Sequence, residues 1–197
     1  HVNETSSARP ERPLLFIKAT TALANPEAPI VLPAQAPDAV DYEAELAVVI
    51  GRNAHCVSEK DALDYVLGYT CANDVSARDC QLKLDGQWAR GKSFDSFCPL
   101  GPWIETDLSP DNLPIATRLN GQVMQQSTTA NMMFDCRYLI SYLSHAMTLL
   151  PGTIILTGTP DGVGMARNPP VYLKHGDVVE VSIEGIGTLR NPVVKQQ

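Results

Sequence analysis

Three carboxylates and one lysine are the residues of this chain whose types and spacing point to chemistry. In DYEAELAVVI a strand of period two places Glu43, Glu45, Ala47 and Val49 on one face, so two carboxylates point the same way, about 7 Å apart. Like charges on so apolar a strand repel, at about 4 kcal/mol for ~4 Å separation and an effective dielectric near 20, unless positive charge lies between them. Exposure to solvent is the simpler outcome for most glutamates. Asp74 in TCANDVSARDCQ changes the balance, because it ends a second apolar stretch and offers a third carboxylate. Three oxygen donors select a hard divalent ion, Mg²⁺ or Mn²⁺ ahead of zinc and with Ca²⁺ as a substitute, and leave positions open for water and substrate. Three carboxylates against one divalent ion leave a net charge of −1, which a lysine can offset.

That lysine lies in GQWARGKS, residues 86 to 93, which also satisfies the letters of the phosphate-binding loop GxxxxGKS. A phosphate loop needs a buried strand before it and a helix after it, whose N-terminus supplies N–H groups to the anion. QLKLD before Gly86 is polar and mixed, and Pro99, Gly101 and Pro102 soon after Ser93 exclude a long helix. A nucleotide is therefore not expected. Lys92, between Gly91 and the aromatics Phe94 and Phe97, is expected to be partly desolvated, where its charge becomes tunable.

The elements that must position these groups are mostly strands. LLFIK and PIVLP read as short strands joined by irregular loops. Ser58 followed by Asp61 resembles a capping box opening a short helix through Val66, ahead of the strand LGYTCAN. ATRLNGQVMQ predicts a hairpin, since Asn120 and Gly121 tolerate the positive φ of a type I′ turn. Met132, Met133, Cys136, Leu139, Ile140, Leu143 and Met147 predict an amphipathic helix from about Thr129 to Leu149, stopped by Pro151 and Gly152. TIILTGT then reads as a buried strand entering GTPDGVG, and DVVEVSIEGIGTLRNPV as a closing hairpin. The fold class is therefore mainly β with a few α-helices, α+β, and a doubly wound parallel sheet is excluded by the lack of strand–helix alternation.

At 197 residues, 44% of them hydrophobic and 19% charged, the chain is long enough to bury one substantial core, so a single domain over 1–197 is expected. It opens on His1 rather than Met, so residues before His1 are expected to be missing. A net charge of −7 argues against a nucleic-acid partner and for a small molecule. No apolar run approaches the ~18 residues that span a bilayer, so no membrane partner is expected. Five scattered cysteines without a CxxC pair suit reduced thiols in cytoplasm or mitochondrial matrix.

Taken together, these motifs resemble the fumarylacetoacetate hydrolase family across essentially the whole chain, in particular its smaller acylpyruvase and oxaloacetate decarboxylase-like members. YEAEL matches the paired metal glutamates, here Glu43 and Glu45; NDVSARDCQ matches the metal aspartate, Asp74; RGKSFDSFCPLGP matches the active-site lysine, Lys92. TGTPDGVG matches the loop whose threonine, here Thr159, contacts substrate. HVNE resembles the segment that forms a short lid helix carrying a His and Glu dyad, which makes His1 and Glu4 catalytic candidates. Arg78, Gln81 and Lys18 become candidates for substrate contact; Ala19 departs from the proline of many relatives. Read without the family, Lys18 is a solvated strand end, Arg78 and Gln81 are surface or supporting groups, and Asp79 is the partner of an arginine. His55, His145 and His175 match no family position and read as structural or exposed.

The resemblance implies a mixed β-sandwich roll, a homodimer and a small 2-oxo or β-diketo acid, whose carboxylate and keto oxygens chelate the ion while negative charge develops as an enolate. Lys92 supplies fixed positive charge beside it, and His1 oriented by Glu4 accepts the proton. C–C hydrolysis of an acylpyruvate is the first choice; oxaloacetate decarboxylation, keto–enol tautomerisation and 2-hydroxymuconate-type isomerisation are alternatives on the same site. A protein of another class, a binding protein braced by Ca²⁺, has no need of Lys92 or the dyad.

Overall fold

The structure, a computed structural model, describes residues 10–196. The strands are β1 (Leu23–Ala24), β2 (Ile30–Leu32), β3 (Val40–Asp41), β4 (Ala44–Ile50), β5 (Val66–Asn73), β6 (Ser76–Ala77) and β7 (Cys98–Glu105), followed by β8 (Pro114–Leu119), β9 (Gln122–Thr128), β10 (Ile154–Leu156), β11 (Val178–Ile183) and β12 (Gly187–Lys195). One sheet has the order β1-β7-β5-β4-β10, a second β2-β12-β11-β8-β9, and β3 pairs with β6. Most pairs are antiparallel, whereas β1 with β7 and β2 with β12 are parallel, so the expected mixed, mainly β architecture is the one observed. The α-helices are α1 (Ala89–Lys92) and α2 (Cys136–Ala146). Among the described residues, no helix is long and apolar enough to cross a membrane.

Strand β4 shows how the core dictates the site. All seven of its residues are buried. Ala44, Leu46, Val48 and Ile50 enter a cluster with Val181 and Ile183 of β11 and Ile140 and Leu143 of α2. Each large aliphatic side chain buried there contributes about 1.5–3 kcal/mol. Because a one-residue slip would turn that face out of the core, the register is held, and the opposite face, carrying Glu45, is held inside with it.

Several local expectations hold. The β8–β9 hairpin turns through Asn120 and Gly121 at φ 51° and 80°, and β11 and β12 close the second sheet as a hairpin. Others are corrected. Residues 14–18 form no strand: Leu14, Leu15 and Ile17 are exposed, and Lys18 is anchored by its side chain on Asp74 rather than by a backbone ladder. Ser58 and Asp61 exchange the capping hydrogen bonds, but the helix they open is a single 3₁₀ turn, Ala62–Tyr65. The helix expected from Thr129 is shorter, because Asp135 caps Tyr138 N–H and starts α2 at Cys136, separate from a 3₁₀ turn at Thr129–Asn131. Its far end is set before Pro151, where Met147 turns extended and Leu149 pairs with Ala54.

Candidate metal centre

Register brings the acidic residues together. Strands β4 and β5 pair with Ala44 opposite Asn73 and Glu45 opposite Ala72. Continued by one residue, the same register places Glu43 opposite Asp74, whose N–H donates to the Glu43 carbonyl at 2.9 Å. Glu43 precedes β4 rather than lying within it, and its own N–H is taken by the Asn73 side chain at 3.0 Å. Oxygen atoms of Glu43, Glu45 and Asp74 lie within 4.8 Å of one another, and all three residues are buried. Carboxylates directly opposite on a sheet repel, so this arrangement requires cations.

Lys92 is the first. At 1% exposure, its ammonium donates to Glu43 Oε2 at 2.7 Å and Asp74 Oδ2 at 2.6 Å, and lies 5.0 Å from the centre of the Phe16 ring. The expectation of partial desolvation is surpassed. α1 places this lysine, and Gly91 lets it do so, because a Cβ there would stand 2.9 Å from the Ala77 carbonyl oxygen and the Gln81 nitrogen. The GQWARGKS stretch therefore serves an ammonium and not a phosphate loop: no strand precedes it, its only helix is inside it, and Ser93 accepts the Ala19 N–H.

Lys18 and Arg78 are the other two cations. Lys18 donates to Asp74 Oδ1 at 2.5 Å. Arg78 spans Asp41 Oδ2 at 2.9 Å and Glu43 Oε1 at 2.7 Å, and donates to Gln81 Oε1 at 2.9 Å. Lys18, Arg78 and Gln81, expected to meet substrate, thus bind the acidic residues or one another. Asp79 pairs with Lys83 at 3.7 Å, not with an arginine. Thr159 is also engaged, its hydroxyl donating to the Ala44 carbonyl and accepting from Gln125. His55, His145 and His175 are exposed, as expected. His1 and Glu4 lie outside the described residues.

The charges divide unevenly among the carboxylates. Burial alone would raise the Glu43 carboxyl, but Lys92 and then Arg78 outweigh it and hold it at about 2. Glu45 goes the other way: burial, then the charges of Asp74 and Glu43, push it well above the ordinary value. Its direct partner is the Gly158 N–H at 2.6 Å, and among the described residues no ion pair reaches it. For Lys92, burial works against the charge, and Asp74 and Glu43 more than restore it. Asp41, Glu43, Glu45 and Asp74 face three cations, one short of neutrality. A hard divalent ion fits this donor set, which is all oxygen, buried and deficient in positive charge at Glu45.

Three supporting residues were not singled out from the sequence: Asp41, Asn73 and Gln125. Asp41 is fully buried, with its carboxyl raised by burial against the opposing effect of Arg78, and accepts the N–H groups of Tyr42, Gly164 and Met165. An aspartate inside the apolar run AVDYEAEL was the available signal for it. Gln125, 81 residues from its partner Ala44, carried none.

Comparison with known proteins agrees with this geometry. The family domain described as "Fumarylacetoacetate (FAA) hydrolase C-terminal" matches residues 1–194. A mitochondrial oxaloacetate tautomerase of Xenopus laevis is 48% identical over 198 residues, covering 98% of this chain and 62% of that protein. A 5-carboxymethyl-2-hydroxymuconate delta-isomerase from Mycobacterium smegmatis is 50% identical with a TM-score of 0.90, covering 100% of this chain and 75% of that one. A fumarylacetoacetate hydrolase from Exiguobacterium antarcticum is 43% identical with a TM-score of 0.92, covering 100% and 71%.

Proposed function

The chain belongs to the fumarylacetoacetate hydrolase family, and from that premise we propose that it is a divalent-metal-dependent enzyme that shifts a proton on a small 2-oxo acid, interconverting keto and enol forms. The observation that carries this reading is the set of three buried carboxylates whose oxygens converge within 4.8 Å beside a buried lysine. Glu43, Glu45 and Asp74 would hold Mg²⁺ or Mn²⁺, with Ca²⁺ as a substitute. When bound, such an ion supplies Lewis acidity to the paired oxygens of a 2-oxo acid.

This chain's own residues do the rest. Arg78 fixes Glu43 through Oε1, and Lys18 and Lys92 fix Asp74 through its two oxygens, so the carboxylates are oriented before anything binds. Lys92 keeps its proton and presents fixed positive charge where negative charge grows on the substrate as C3 loses its proton. The Phe16 ring lies over the ammonium and limits its access to water. His1, oriented by Glu4, is proposed as the proton acceptor. A mere calcium brace would have no use for a buried lysine shared between two of its carboxylates.

The tautomerase and isomerase named among the relatives favour proton transfer over bond cleavage. The similarity to the Exiguobacterium hydrolase favours a second reading, C–C hydrolysis of an acylpyruvate, which needs water in addition. Reduced cysteines and the mitochondrial relative fit a reducing compartment, cytoplasm or mitochondrial matrix, and a homodimer is the proposed assembly. The test follows the ultraviolet absorbance of enol-oxaloacetate with and without Mg²⁺, with CO₂ release and acylpyruvate cleavage measured in parallel. Mg²⁺-dependent enol–keto interchange without CO₂ is expected. Acylpyruvate cleavage without tautomerisation would transfer the assignment to the hydrolase reading, and inactivity in every arm would refute both.

A further inference from the structure

The loop after β10 is held to the candidate metal centre in an unusual way. β10 pairs with β4 in the register Ile154 with Val49 to Leu156 with Ala47. Thr157 extends it, its N–H and its hydroxyl both donating to the Leu46 carbonyl. The same register would place Gly158 opposite Glu45 and Thr159 opposite Ala44. Gly158 instead turns at φ 98°, a conformation that glycine adopts without strain, and its N–H points at the Glu45 carboxyl at 2.6 Å.

Side chains replace the lost ladder. The Ala44 carbonyl accepts from the Thr159 hydroxyl at 2.9 Å, and the Ala44 N–H donates to Gln125 Oε1 at 3.0 Å. Gln125 comes from β9 of the second sheet, is 1% exposed, and uses its whole carboxamide. Oε1 also accepts from Thr117 at 2.7 Å, while Nε2 donates to Thr159 Oγ1 at 2.8 Å and to the Pro160 carbonyl at 2.9 Å. Ala44 is the residue between Glu43 and Glu45, so one amide grips both the strand that bears the carboxylates and the loop that orients one of them.

We propose that Gln125 is a positioning residue of the metal centre, acting through Thr159 and Ala44 to keep the Gly158 N–H on Glu45 and so fix the direction in which that carboxylate meets a cation. The inference rests on the reading of Glu43, Glu45 and Asp74 as a cation site. A fully satisfied buried amide specifies one geometry and tolerates no near substitute. Supporting hydrogen bonds of this kind, when removed, typically cost about 10–100-fold in metal affinity.

The test is Mn²⁺ binding to the full chain, measured by electron paramagnetic resonance of free Mn²⁺, with thermal melting beside it. Gln125→Met removes all four bonds without adding charge, and Thr159→Val removes the link to the loop alone. Both are expected to weaken Mn²⁺ by about tenfold or more, and the double variant by no more than the stronger single one, because they act in series. Thr117→Val cuts a Gln125 bond that leads away from the loop; it should lower the melting temperature and leave Mn²⁺ affinity within about twofold. Faster amide exchange over 157–160 is expected in the first two variants only. Wild-type-like Mn²⁺ affinity in Gln125→Met and Thr159→Val, or equal weakening by Thr117→Val, would overturn the proposal. If Gln125→Met does not fold, the other two variants decide. Failure of the wild-type chain to bind Mn²⁺ would instead remove the cation reading itself.

Discussion

Replacing Lys92 with methionine separates the lysine's two tasks. The side chain fits a similar volume but leaves Glu43 Oε2 and Asp74 Oδ2 without the ammonium that lies 2.7 and 2.6 Å from them. At an effective dielectric near 20 each contact carries on the order of 6 kcal/mol of Coulomb attraction, most of it offset by desolvation of the partners. The net cost of breaking such a buried pair is about 3–5 kcal/mol. For a chain of this size that lowers the melting temperature by roughly 6–20 °C. A divalent cation gains what the lysine vacates, since it no longer competes for the same oxygens or feels the ammonium's repulsion. The expected result is a metal-free protein that melts early, recovers most of its stability with Mg²⁺, binds Mg²⁺ at least as well as wild type, and turns over at least ~10²-fold more slowly. Melting curves with and without Mg²⁺, alongside the enol-oxaloacetate assay, measure all of this. Equal destabilisation in both conditions would show that Lys92 does not share its carboxylates with a cation site, and retained turnover would refute its place in the reaction.

Other expectations follow from the same contacts. Folded, metal-free protein holds a proton on Glu45 above the value near 4.5 at which the unfolded chain releases it, so this group's contribution to stability falls as pH rises from there toward the folded value. A cation displaces that proton, and the rise in melting temperature given by Mg²⁺ should therefore be larger at about pH 8 than at about pH 5; a smaller rise would contradict the assignment of Glu45. Asp41→Asn should weaken the hold on Arg78 and lower stability by about 1–3 kcal/mol, read from denaturant unfolding, with an unchanged midpoint refuting its role. Burial pushes the thiols of Cys71 and Cys136 up to about 12 and that of Cys98 to about 11, and raises Cys80, whereas Cys56 is exposed. A thiol reagent at neutral pH should therefore titrate one fast cysteine per native chain, and Cys56→Ser should abolish that phase.

Much of the centre was legible because its residues are ordered by local pattern. Period-two alternation was enough to place Glu43 and Glu45 on the face opposite Leu46 and Val48, and the failed context of GQWARGKS freed Lys92 for another role. What alternation cannot supply is register between distant strands. Only the pairing of β4 with β5 puts Glu43 across from Asp74, and only the sheet order brings β9 close enough for Gln125 to reach Ala44. The same limit explains why Arg78, Gln81 and Lys18 were expected at a substrate: a charge in a motif is visible, but the fully buried Asp41 that claims Arg78 lies 37 residues earlier. The helix expected from Thr129 shows a competing local signal, since the apolar spacing continues through Met132 and Met133 while the Asp135 cap restarts the helix three residues later.

The most direct measurement is the anomalous difference density of crystals of the full chain soaked with Mn²⁺ and oxalate, a stable mimic of the paired oxygens of a 2-oxo acid. The account predicts one strong peak in contact with Glu43, Glu45 and Asp74, with oxalate on its open side facing Lys92. Manganese absent from this position, or bound there with oxalate elsewhere, would contradict it.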